Sequence, residues 1–83
     1  MDTDELKHRL GQILAEEEGD GAVDWQWVQS QSNALLGELQ MPIPLVVDEY
    51  LRGSERRRQD MMLGRAQRCE LLLYLRGKAK PSA

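Results

Sequence analysis

The chain has 83 residues, with 11 Lys and Arg against 14 Asp and Glu, 41% hydrophobic residues, one Cys, one His and no Phe. A length near 80 residues specifies one domain that buries only about 60–65% of its unfolded surface, and so small a core rarely supplies more than about 3–5 kcal/mol by itself. Cys69 has no second cysteine to bridge and His8 no second histidine, which excludes an intramolecular disulfide and any Cys/His group at metal-ligand spacing. Association with another chain is the remaining reinforcement, so a homodimer is expected.

Asp2, Asp4 and Glu5 precede any apolar run, the reverse of an export signal. The longest apolar stretch, residues 71–75, is far short of the roughly 20 residues that span a bilayer. No membrane segment is expected, and an unpaired thiol fits a reducing cytoplasm. The charge is polarised: residues 1–49 hold 11 acidic and two basic side chains, residues 50–83 nine basic and three acidic, giving −9 and +6. Such halves attract within a chain, between copies, or toward a polyanion.

Asp2 or Thr3 caps a first helix, with Glu5 completing an acidic capping box behind Asp2. Leu6, Leu10, Ile13 and Leu14 recur on one helical face to about residue 18. Glu16, Glu17 and Glu18 crowd the carboxyl end, where the macrodipole opposes negative charge, so the last turn should fray. Gly19 and Gly21 stop the helix.

Asp24 caps a second helix to about Leu39, with Val23 placed to staple on Val28. Trp25, Val28, Ser32, Leu35, Leu36 and Leu39 fall within roughly 100° of arc and form its core face. Ser32 at the centre predicts close approach of a neighbour. Trp27 lies on the opposite side, an exposed anchor for a partner unless residues 41–43 or the third helix fold over it.

Pro42 and Pro44 make residues 41–44 a connection, and Pro44 opens a short third helix to Arg52 whose apolar side is Val46, Val47, Tyr50 and Leu51. An edge strand over residues 43–47 is the rival, but it has no partner strand. Ser54 then caps one long helix to Arg76, about 22 residues and 33 Å. Met62, Ala66, Cys69 and Leu73 space as 4, 3, 4, a coiled-coil seam that Gln59 and Glu55 extend toward its start. In that seam Met62 reads as core and Cys69 as a small buried hydrophobe. Leu71, Leu72, Leu73, Tyr74 and Leu75 surround the axis, more apolar surface than three small helices are expected to cover. Residues 77–83 read as a disordered basic tail.

For function the inventory is thin. His8 falls on the solvent side of its helix, and Cys69 has no base beside it in the sequence. There is no general-base pair, oxyanion loop or phosphate-cradling glycine loop. The run from Glu16 to Gly21 lacks the ligand spacing of an EF-hand. No catalytic, cofactor or metal residues are therefore assigned. Arg56, Arg57, Arg58 and Arg65, with Arg52 and Arg68, form the densest cluster. They are candidate nucleic-acid contacts, or they pair with Glu16, Glu17, Glu18, Asp48 and Glu49. A helix-turn-helix over the second and third helices fails because acids stand where the reading helix meets phosphate.

No stretch carries a motif specific enough to name a family. The expectation is a small all-α domain over residues 1–76, orthogonal or bundle-like, with three longer helices and one short one, the long one last. It is expected to act as a non-catalytic protein–protein interaction module, a cytoplasmic regulator or adaptor that forms a homodimer through the last helix. In a parallel pairing Arg65 faces Glu70 of the other chain, but the sequence leaves parallel and antiparallel packing equally open. Contacts to an unidentified protein partner are placed at Trp27, Met61, Leu71, Leu72 and Leu75. The alternative is a nucleic-acid-binding regulator using the arginines.

Overall fold

The computed structural model describes residues 1–40 and 42–77. Every regular element among these residues is a helix, in the order α1 (Thr3–Glu18), α2 (Trp25–Glu38), α3 (Leu45–Arg52), α4 (Ser54–Gln59) and α5 (Met61–Leu75). Met41 and most of the expected tail, residues 78–83, lie outside the described residues. No helix is long and apolar enough to cross a membrane among them.

The start of each longer helix follows from one side chain. Asp2 accepts a hydrogen bond from the Glu5 N–H at 2.8 Å and Asp24 from the Trp27 N–H at 3.0 Å, satisfying donors that have no partner inside a helix. Pro44 occupies the N-cap of α3, and the rival strand over residues 43–47 does not form. Gly77, with φ +74°, follows α5 and donates to the Tyr74 carbonyl at 3.0 Å, the left-handed stop that glycine adopts without steric cost.

The expected single helix from 54 to 76 is instead two. Asp60 is extended at φ −129° and ψ 103°. Its N–H closes α4 on the Arg56 carbonyl at 2.9 Å, while its carboxylate opens α5 by accepting from the Met62 and Leu63 N–H groups, both at 3.1 Å. One aspartate thus serves both ends, and α4 turns back to pack on α5. The rod of about 33 Å becomes a 15-residue helix of about 22 Å.

The core gathers Leu6, Leu10, Ile13 and Leu14 of α1, Val28 and Leu35 of α2, Val47, Tyr50 and Leu51 of α3, and Leu71 of α5. The faces read for α1, α2 and α3 are the faces buried, with Trp25, Leu36, Leu39 and Val46 packed at the edge. Each fully buried Leu, Ile or Val contributes on the order of 1.5–3 kcal/mol of transfer free energy. Ser32 is completely buried, as the expected close approach requires, and its hydroxyl has no hydrogen-bond partner.

Candidate interaction surface

Two features distinguish the basic half of the chain: a buried ion pair that absorbs part of its charge, and an apolar stripe on α5 that the fold leaves open.

Glu17, in the last turn of α1, lies at the centre of the stripe begun by Leu6, Leu10, Ile13 and Leu14, and so points into the protein. Arg57 of α4 meets it with a fork: Nε donates to Oε1 at 3.0 Å and Nη2 to Oε2 at 2.8 Å, with both side chains fully buried. The Tyr50 hydroxyl donates to Oε2 at 2.7 Å and Arg68 Nη1 to Oε1 at 3.2 Å. These four donors fill the acceptor positions of a carboxylate. Arg57 also donates through Nη1 to the Tyr50 carbonyl and to Gln67 Oε1, the latter at 3.0 Å, and its guanidinium stands 3.8 Å from the centre of the Tyr50 ring. Burial pushes the Tyr50 phenol far above its ordinary value, and the neighbouring Glu17 charge pushes it further, so Tyr50 remains the neutral donor.

Two glycines make room for this arrangement. A Cβ on Gly53 would stand 2.9 Å from both the Glu49 carbonyl and Gln67 Oε1, and 3.3 Å from Arg57 Nη1. A Cβ on Gly64 would meet Arg68 Nη1 at 3.0 Å and the Arg57 carbonyl at 3.5 Å, at the crossing of α4 and α5.

The last turn of α1, where fraying was expected, is helical through Glu18 and has two of its three acids engaged. Glu17 is neutralised by Arg57 and Arg68, and Glu16 accepts from the Asp24 N–H at 2.9 Å, tying the end of α1 to the start of α2. Arg57 is only 2% exposed and is withdrawn as a nucleic-acid contact. Arg58 is held by Glu55 in an exposed pair; its fork draws the Glu55 carboxyl below the ordinary carboxylate range and is itself pushed up. Arg52 pairs with Asp48 at 2.8 Å. Arg56 and Arg65 remain exposed and without an ion pair among the described residues.

On α5 the positions seven apart, Gly64 and Leu71, face the core, while Met62, Ala66, Cys69 and Leu73 look outward on the opposite side. Met62 is 83% exposed and Leu73 43%. Met61, beside the stripe, is 84% exposed, and with Met62, Arg65, Ala66, Arg68 and Cys69 it lines an open groove. Four expectations change accordingly. Leu71 is fully buried and cannot touch a partner in this fold, because α5 turns it beneath the other helices. Leu72 and Leu75 pack against the core's edge, so the cover thought to need a second chain comes largely from the chain itself. Cys69 and Met62 are exposed rather than buried. Gln59 cannot continue the seam, because the chain is extended at Asp60. Trp27 is 36% exposed, so most of the residue is covered and part of it is open to solvent.

Gln67 is absent from the residues singled out by sequence, and Glu17 stands there only as one of five acids that the arginines could meet; one signal pointed to it in particular, because an acid centred on an apolar stripe requires a buried cation. Among the described residues no three of His, Cys, Asp and Glu converge as metal ligands. In comparisons with known proteins, no family model, curated sequence or solved structure matches the chain.

Proposed function

We propose that this chain is a non-catalytic protein–protein interaction module, a small cytoplasmic regulator or adaptor that acts as a homodimer through the outward stripe of α5, with Trp27 and Met61 as further contact points. The observation that carries this reading is the side of α5 opposite Leu71, where Met62, Ala66, Cys69 and Leu73 form an exposed row at seam spacing. Adaptable methionines and contiguous apolar surface are what interaction sites present. Sedimentation velocity over a concentration series tests it: the wild-type chain dimerises, and Met62→Glu with Leu73→Glu abolishes the dimer while leaving the circular dichroism unchanged. A wild-type monomer at every concentration refutes the homodimer.

The nucleic-acid alternative draws chiefly on Arg56 and Arg65, since Arg57 is buried against Glu17 and the exposed Arg58 would have to exchange its surface pair with Glu55 for phosphate. Pairing of the arginines with the chain's own acids supports the interaction module instead. Retention on duplex DNA or RNA that falls steeply with salt, and weakens on Arg56→Ala and Arg65→Ala, is the result that would favour the alternative.

A further inference from the structure

The occupant of the α5 stripe can be specified from the charges beside it. Numbered as a heptad, Ala66 and Leu73 take the a positions and Met62 and Cys69 the d positions, while buried Gly64 and Leu71 both fall at f, diametrically opposite the seam. The stripe is therefore free to meet a partner helix without disturbing the core. Arg65 at g and Glu70 at e flank it; both are exposed and neither has an ion pair among the described residues. One patch thus carries both signs, so each charged residue there can find its complement on an identical surface, as a self-complementary twofold interface allows.

We infer that a second copy of this chain docks on the stripe in parallel orientation, with Arg65 of each copy facing Glu70 of the other and the two Cys69 side chains meeting across the axis. This inference rests on the homodimer proposed above. A parallel seam sets g beside the e position five residues on in the other chain, which pairs 65 with 70 twice per dimer. An antiparallel seam sets g beside g and e beside e, so Arg65 never meets Glu70. It also places Cys69 opposite Ala66. The break at Asp60 strengthens the argument, because it confines the seam to the span from Met62 to Leu73, where this is the one oppositely charged flanking pair.

The test is a charge swap in the full chain, read as the dimer dissociation constant by sedimentation equilibrium. Arg65→Glu and Glu70→Arg each place two like-charged pairs in the parallel dimer and weaken it on the order of tenfold, whereas the double variant returns to within about threefold of wild type. Circular dichroism confirms that all three variants retain the helical fold. A second measurement uses the exposed thiol: with glutathione disulfide as oxidant, a parallel dimer forms the Cys69 to Cys69 disulfide, which demands Cα atoms closer than about 7 Å. In an antiparallel dimer the crosslink forms instead between wild-type chain and the Ala66→Cys, Cys69→Ala variant. A dimer indifferent to the charge swap, or one that crosslinks only in that mixture, overturns the parallel inference while the homodimer stands. A chain that is monomeric throughout overturns both and leaves the stripe to a different protein.

Discussion

Arg57 and Glu17, 40 residues apart in sequence, close a two-pronged ion pair in the interior of the protein, with each carboxylate oxygen also accepting a further hydrogen bond from Tyr50 or Arg68. A pair so enclosed adds less stability than its Coulombic attraction suggests, because both charges gave up their hydration. Its strength appears when one partner is lost.

Arg57→Ala leaves Glu17 buried with only Arg68 and Tyr50 around it. The expected cost is about 3–5 kcal/mol, comparable to the whole stability of a domain this small. Urea denaturation followed by circular dichroism should find the variant largely unfolded without denaturant. A cost below about 1 kcal/mol would show the pair to be dispensable.

Tyr50 makes stability depend on alkaline pH. Its folded-state pKa is raised above the ordinary value of 10 by burial and by Glu17. The folded state therefore favours the protonated phenol, and this contribution is complete below about pH 10 and lost as pH rises beyond it. The urea midpoint should fall between pH 9 and 11, and Tyr50→Phe, though less stable at neutral pH, should show a shallower fall. Equal slopes would dissociate Tyr50 from the alkaline response.

Ser32→Ala should stabilise the protein. The wild-type hydroxyl is buried with no hydrogen-bond partner, and removing such a group recovers desolvation free energy of about 1 kcal/mol. A higher melting temperature checks this; a lower one would mean that the hydroxyl has a partner in solution.

Two glycine substitutions should differ in sign. Gly53→Ala forces a methyl against the Glu49 carbonyl and the Gln67 side chain and should cost about 1–3 kcal/mol. Gly11→Ala adds a methyl that meets nothing within 4 Å, in the interior of α1, and should gain up to about 1 kcal/mol from helix propensity. Denaturant midpoints of the two variants are the measurement.

Asp60→Ala should cost about 0.5–2 kcal/mol, the range for loss of an N-cap, because the Met62 and Leu63 N–H groups lose their shared acceptor. A urea midpoint unchanged from wild type would show that α4 and α5 separate without the cap.

Helix class, the limits of the first three helices and their buried faces were determined by the sequence itself, because capping side chains and 3.6-residue periodicity act over a few neighbouring residues. The seam spacing of Met62, Ala66, Cys69 and Leu73 was equally visible, and so was the acid at position 17. Only the tertiary structure decided where the arginines went, since Arg57 reaches Glu17 across 40 residues and no local pattern couples them. It also decided that Asp60 divides the last helix. A strong local cap competes there with good helix formers on both sides, and the turned-back arrangement brings α4 against α5 at Gly64. For the same reason Leu71 is buried while Leu73 faces outward: an all-round apolar segment has no preferred face of its own, and the packing of its neighbours selects one.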